Sequence, residues 1–178
     1  MWMVPLRLVV GSGKTMHLYS CHIFKLKMQM NDRQKNNRQE NDEQKKEQSS
    51  SARDQVIRAA LDQHWTASDA SDFETEHLIY QVDAVLEYPQ SGERFRGRRN
   101  IQNQRASQPS KKRFTVQRIL GGGDLWVTEF ILTYDGKPSY TVSIMEFLGD
   151  KVAHETQYFA DPFAAPASRV QWREPMDT

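Results

Sequence analysis

Two dipeptides fix what the second half of this chain can become. Asp135-Gly136 and Gly149-Asp150 each sit between runs rich in β-branched and aromatic residues. Such pairs signal two-residue hairpins, because the matching turns need positive φ and Gly or Asp tolerates it. Leu125 to Tyr134, Ser139 to Leu148 and Lys151 to Phe159 are therefore expected as consecutive antiparallel strands. Lys112 to Leu120 alternates as well and stops at Gly121-Gly122-Gly123-Asp124, which adds a fourth. Further upstream, Tyr80, Val82, Ala84 and Leu86 alternate with Gln81, Asp83, Val85 and Glu87 until Pro89 ends the run. Gln90-Ser91-Gly92-Glu93 reads as a turn, and Arg94 to Gly97 as a short return strand.

Before the strands the hydrophobic period is helical. Val56, Ile57, Ala60, Leu61 and Trp65 predict an amphipathic helix from about Ala52 to Thr66. Ser68 or Asp69 can cap a second, shorter helix carrying Phe73, His77, Leu78 and Ile79. Arg98 to Ser107 reads as a third, with only Ile101 and Ala106 apolar. Three helices followed by a four-strand meander make an α+β fold with the helices on one face of the sheet. Phe163 to Trp172 is a Pro/Ala-rich tail whose Phe163, Val170 and Trp172 are expected to pack over an edge or a pocket mouth.

The 178 residues suffice for one domain with a real core. Asn31 to Ser51 contains no aliphatic or aromatic residue, so it has no face to bury. It is expected to be a solvated tether or at most a frayed polar helix. The expected organisation is a leader and tether over 1–51, a folded domain over 52–173 and a tail over 174–178. Residues 1–30 read as an appended or misassigned leader without the pattern of a secretory signal, and cytoplasm is the expected location. No apolar run approaches the roughly 20 residues that span a bilayer, so no membrane partner is expected.

Gly11-Ser12-Gly13-Lys14-Thr15 imitates a phosphate-binding loop. That loop needs a glycine five positions before the Gly-Lys-Thr, where this chain has Leu8, and it needs a parallel α/β unit. Cys21 is the only cysteine, so neither an intrachain disulfide nor a cysteine metal site is possible. The five histidines are scattered, and no metal or cofactor is expected. Formal charge is +1. The basic run of Arg94, Arg96, Arg98, Arg99, Arg105, Lys111, Lys112 and Arg113 lacks the interleaved aromatics of a nucleic-acid surface and is expected to be a solvated face.

The stretches DAVLEYPQSGERFRGRRNI, from Asp83 to Ile101, and GDKVAHETQYFADPF, from Gly149 to Phe163, in this order after the helices, resemble the nuclear transport factor 2-like superfamily in its bacterial SnoaL-like branch. The resemblance covers Ala52 to about Trp172. It implies a cone whose curved sheet encloses a pocket, and homodimerisation. In the ketosteroid isomerase relatives a carboxylate before a strand-ending proline abstracts a proton, and a helix tyrosine and a late-strand aspartate stabilise the enolate. Those positions fall here on Tyr88, His64 and Ser143, all changed in type. A tyrosine of ordinary pKa is a poor base at neutral pH, so that isomerisation is not expected.

SnoaL-like polyketide cyclases place an acidic residue in the pocket. On the last strand Ala153, Glu155, Gln157 and Phe159 share one face and His154, Thr156 and Tyr158 the other. If the first face looks inward, Glu155 is the candidate acid or base, with Tyr88 and His64 as partners. In the opposite parity Glu155 is a plain surface charge. Trp65, Trp126, Ser143, Gln157 and Phe159 are the candidate substrate-binding residues, within an aromatic set that also serves a core. Two functions stay open. One is a cofactor-free acid–base enzyme of isomerase, cyclase or hydrolase type acting on a small apolar cyclic molecule. The other is a non-catalytic ligand-binding or dimerisation module of the same fold.

Overall fold

The computed structural model describes residues 14–174 and Met176, with side chains from Arg33 onward. Gly11 to Gly13 of the loop-like motif, and the side chain of Cys21, lie outside the described residues. The chain divides into two compact units, Met1–Ser49 and Ser50–Thr178. The first helix, α1, covers Lys14–Ala70. In the first unit every residue of 33–49 is exposed. Of the two states open to this polar run it takes the helical one. Gln, Lys, Glu and Arg are good helix formers, and Asp42 and Lys46 stand one turn apart with favourable sign.

In the second unit the remaining part of α1 turns Ile57, Leu61, His64, Trp65 and Ser68 inward, spaced three, four and seven apart. The helix runs four residues beyond the expected Thr66 and closes in a Schellman motif. The Asp72 N–H donates to Ala67 O at 2.9 Å and the Ser71 N–H to Ser68 O at 3.2 Å. Ser71 takes φ 57°, the left-handed conformation that glycine adopts more cheaply. Asp72 then caps α2, Phe73–Glu76, by accepting from Thr75 N at 3.1 Å. One 3₁₀ turn, His77–Ile79, leads into the sheet.

The strands are β1 (Tyr80–Tyr88), β2 (Glu93–Arg96), β3 (Lys112–Gly122), β4 (Leu125–Tyr134), β5 (Lys137–Leu148) and β6 (Lys151–Ala160), with α3 (Arg98–Ala106) after β2. They form one curved, unclosed sheet in the order β2-β1-β6-β5-β4-β3. The meander β3 to β6 is antiparallel, and β1 adds to β6 in parallel. Asp135 (φ 51°) and Gly136 (φ 83°) make the turn that the dipeptide demanded, with Tyr134 opposite Lys137.

On the inner face side chains stack in rows across the strands. Trp126, Met145 and Glu155 make one row with Leu86, Thr128, Ser143 and Gln157 the next, and Phe130, Thr141 and Phe159 the third. The free edge of β3 is capped by α1. Asp69 Oδ1 accepts from Phe114 N at 2.8 Å, Arg58 Nη1 donates to Ile119 O at 3.0 Å, and Asp54 Oδ1 accepts from Gly123 N at 2.8 Å. An edge paired this way is closed to another strand.

Two expectations are corrected. Val82 does not face inward with Tyr80, Ala84 and Leu86 but is 76% exposed. The register of β1 on β6 shifts between Tyr80 and Val85, and this irregularity breaks the alternation at Val82. The tail does not cover the mouth: Phe163, Val170 and Trp172 are all exposed, and the 3₁₀ turn Ala167–Trp172 buries no residue. Pro162 follows the end of β6 and supplies no N–H to extend it.

Gly121 packs where a Cβ would sit 2.4 Å from Leu125 O and 2.7 Å from Trp126 Cα, both backbone atoms. Gly121→Ala is expected to destabilise the domain by about 2 kcal/mol or more, whereas Ser71→Gly should stabilise it by up to about 1 kcal/mol. Urea unfolding of the two variants measures both signs; an unchanged midpoint for Gly121→Ala would contradict the packing.

Candidate functional site

The sheet's inner face and the two short helices meet in a chain of buried charges. Arg105 lies on α3 one turn after Ile101, so both point inward, and Arg105 is 8% exposed. Its Nη1 donates to Glu76 Oε1 on α2 at 3.0 Å and its Nη2 to Glu155 Oε2 on β6 at 3.0 Å. Glu155 is 0% exposed, and its carboxylate is fully engaged. Tyr80 Oη donates to Oε2 alongside Arg105, while Ser143 Oγ and Gln157 Nε2 each donate to Oε1 at 2.6 Å. Four donors fill the roughly four lone-pair sites of an ionised carboxylate.

Two cavities adjoin this cluster. An inner recess of about 30 Å³ is lined by Gln104, Arg105, Lys112, Phe114, Phe130 and Gln157 among others. An outer cavity of about 580 Å³ is lined by Gln90, Ser91, Glu93, Ser110, Ser139 and Asp161. Tyr88, Gln108, Tyr134 and Phe159 line both and separate them. The recess holds about one water-sized group, and a cyclic molecule fits only the outer space. Tyr88 is held by Gln104 Nε2, which donates to its hydroxyl at 2.9 Å, and by edge contacts with Phe95 and Phe159. Gln90 acts as a substitute strand at this mouth: its Oε1 accepts from Phe159 N at 2.9 Å and its Nε2 donates to Phe159 O.

The candidate residues separate by depth. Tyr88, Gln157 and Phe159 line the recess. Glu155 and Ser143 lie beneath it, joined to each other. His64 and Trp65 form the layer behind: His64 Nδ1 donates to Glu76 O at 2.6 Å, and Trp65 Nε1 donates to Thr128 Oγ1 at 3.1 Å while its ring packs on Phe130. Trp126 is buried two strands from Glu155 in its row, bonded to Gly123 O at 3.2 Å, and lines neither cavity. Among the described residues no group of three His, Cys, Asp or Glu side chains is placed to hold a metal ion.

Arg105, Glu76, Tyr80 and His77 were not among the candidates. Arg105 was read as part of a solvated basic face, which its burial corrects; Lys112 is likewise half-buried. The overlooked signal is the four-residue step from Ile101, one of the two apolar residues of that helix. Glu76 and His77 follow Phe73 at helical spacing, which is weaker because the helix has a single turn.

Burial opposes each charge, and the neighbours decide the outcome. It works against the Arg105 cation, yet the Tyr80 oxygen beside it and the Glu155 and Glu76 charges outweigh it and hold the guanidinium pKa well above its ordinary value. Burial also favours protonating Glu76, but Arg105, with His64 and His77, keeps its pKa below the ordinary carboxylate value. Tyr88 is pushed up by burial despite the pull of Arg105, so it stays protonated and acts as a donor. Tyr80 is raised further by burial and by Glu155. His64 is lowered by burial and then by Arg105, and His77 falls to about 4 for the same two reasons. Both rings donate through Nδ1 to backbone carbonyls, and both leave a buried Nε2 without a partner.

The unfolded chain binds a proton on His77 below its ordinary pKa of 6.5, whereas the folded chain refuses it until about 4. This contribution to stability is complete above 6.5 and is lost as pH falls towards 4, at most about 3 kcal/mol. His77→Asn keeps a donor for Phe73 O and cannot titrate. Its unfolding free energy should vary less between these two pH values than that of the unaltered chain, and equal slopes would count against the assignment.

No protein-family model matches the sequence, and no curated protein matches it. Solved structures do. An NTF-2 like protein of unknown function from Burkholderia xenovorans LB400 is 55% identical, with a TM-score of 0.66 over 70% of this chain and 98% of that one. A candidate ketosteroid isomerase from Kribbella flavida DSM 17836 superposes with a TM-score of 0.65 at 21% identity, over 70% of this chain and 92% of that one. A protein of unknown function with a cystatin-like fold from Methylobium petroleophilum PM1 gives 0.55 at 15% identity, over 65% and 83%. The last two share the fold alone. At more than half identity over nearly the whole length of the Burkholderia protein, the chain belongs to the NTF2-like superfamily.

Proposed function

We propose that the domain binds one small, mainly apolar, neutral molecule and polarises a single oxygen on it without a cofactor. The flat body lies against Tyr88, Tyr134 and Phe159 in the outer cavity, and the oxygen occupies the inner recess beside Arg105 and Gln157. The observation that carries this reading is the recess itself, which has room for one oxygen and presents donors. Charge balance supports a neutral ligand. Glu76 and Glu155 already pair with Arg105, so a bound anion would add uncompensated charge in a poorly solvated place.

Donors aimed at an oxygen are the electrophilic half of isomerase, cyclase and hydrolase chemistry. Tyr88 and Arg105 take that role in the proposal. Glu155 is a positioning residue whose four bonds orient Arg105 and Gln157; direct proton transfer to it would first require a donor to leave. His64 supports the same cluster from behind by anchoring the Glu76 backbone. A single cysteine, Cys21, fits a cytoplasmic setting, where crosslinks are rare.

Calorimetry with cyclic ketones and their parent hydrocarbons tests the reading. Ketones should bind at least about tenfold more tightly than hydrocarbons of the same shape, equivalent to about 1.4 kcal/mol. Ser143→Ala, which removes one donor to Glu155 and no charge, should narrow that ratio while the domain stays folded. Equal affinity for ketone and hydrocarbon would overturn the proposal.

A second reading rests on the outer sheet face. There Tyr140 and Tyr158 are exposed beside half-buried Ile131, Val142 and Ile144, in adjoining registers of β4, β5 and β6. We propose that this face pairs with a second copy of the chain. Sedimentation should report a dimer that Tyr140→Glu with Tyr158→Glu converts to a monomer; a monomer without substitution would refute it.

A further inference from the structure

Among the described residues, Lys112 is the one basic side chain lining the inner recess that forms no ion pair with the buried carboxylates. It stands at the start of β3, opposite Tyr134, half-buried and lining the recess. Its Nζ donates to Arg105 O at 2.9 Å and lies 5.2 Å from the centre of the Phe73 ring. No carboxylate comes within ion-pair distance of it among the described residues. The Phe73 ring favours the ammonium, but a half-buried position beside a second cation, Arg105, takes away part of the stabilisation of the charged form. Its neutral form is a nucleophile, and the donors around it suit a carbonyl oxygen.

We infer that Lys112 is a covalent site for carbonyl compounds, forming a Schiff base with a small cyclic or aromatic aldehyde or ketone whose ring occupies the outer cavity and whose carbonyl enters the recess that Lys112 lines. The inference rests on the pocket reading above and adds a bond to it. The Nζ lone pair attacks the carbonyl carbon, and the π pair moves to oxygen, which takes a proton and is aligned by Arg105 and Tyr88. Nζ gives up a proton as the carbinolamine forms. Protonation of the carbinolamine hydroxyl then expels one water and leaves the iminium on Lys112. No oxidant or reductant is required.

Several features favour this lysine over others. Burial, followed by the neighbouring Arg105, lowers the Lys112 pKa, although Glu76 pulls the other way. Tyr88 and Tyr134, both held protonated by burial, face the same space and can donate to the departing oxygen. Lys35, Lys45 and Lys46 on the exposed stretch of α1 have none of these surroundings and serve as internal controls.

The full chain treated with benzaldehyde and sodium cyanoborohydride near neutral pH, then mapped by peptide mass spectrometry, tests the inference. Benzylation at Lys112 should proceed at least about tenfold faster than at Lys35, Lys45 or Lys46. Lys112→Arg should remove that fast site and leave the slow ones. Excess cyclohexanol, which fills the cavity without forming an imine, should protect Lys112. Labelling of Lys112 no faster than the exposed lysines, or unaffected by cyclohexanol, would overturn the inference. Ketone binding by calorimetry with slow labelling would retain the pocket reading and reject the covalent one; loss of ketone binding with fast, unprotected labelling would reject both.

Discussion

The rest of the domain depends on placing one guanidinium between two carboxylates in its interior. Arg105 joins α3 to α2 through Glu76 and to β6 through Glu155. A cation taken out of water costs several kcal/mol unless it is paired and hydrogen-bonded, and a pair that loses one partner is strongly destabilised. The three elements are therefore fixed relative to one another by a requirement that apolar packing does not impose. Apolar contacts tolerate small slides, but a guanidinium bonded to two carboxylates at 3.0 Å each does not.

That constraint sets the geometry of the recess. Glu155 accepts from Ser143 on β5, Gln157 on its own strand and Tyr80 on β1, so one carboxylate gathers donors from three neighbouring strands. The groups that face the recess, Arg105 and Gln157, are the ones whose first bonds Glu155 has taken. Both side chains carry further N–H groups beyond the ones so used. Apolar residues of similar volume often stabilise a core as well as a buried charge cluster does. What the charged version adds is a set of oriented donors beside an opening.

The sheet was legible because a period of two and the Asp-Gly and Gly-Asp turns have no other physical solution. The α+β architecture followed, and the resemblance drawn from residues 83–101 and 149–163 led to the same superfamily as the Burkholderia structure. The parallel pairing of β1 with β6 was not legible, since strand period carries no information about partners distant in sequence. Nor was the bulge that turns Val82 outward, because it is imposed by the register on β6. The polar segment before Ser50 could be read either way, for helix propensity and the absence of a buried face pull in opposite directions. Arg105 was hidden by its company. Among eight basic residues between Arg94 and Arg113, composition argues for solvent, and only the turn of helix from Ile101 distinguishes it.

The three positions that the sequence resemblance marks as functional take other roles here. Tyr88 still reaches the recess, but as a protonated donor where the resemblance expects a base. Ser143 has turned its hydroxyl to Glu155, and His64 has turned its Nδ1 to the Glu76 backbone. Both now serve the buried charges and neither lines the cavity. The polar load has moved to Arg105, Gln157 and Lys112, which come from α3, β6 and β3. In the proposed reading, a recess with donors from three elements and no carboxylate in its own lining favours binding and polarising an electron-rich oxygen over removing a proton from carbon. The fold alone would have suggested the opposite, and the difference rests on where one glutamate spends its four bonds.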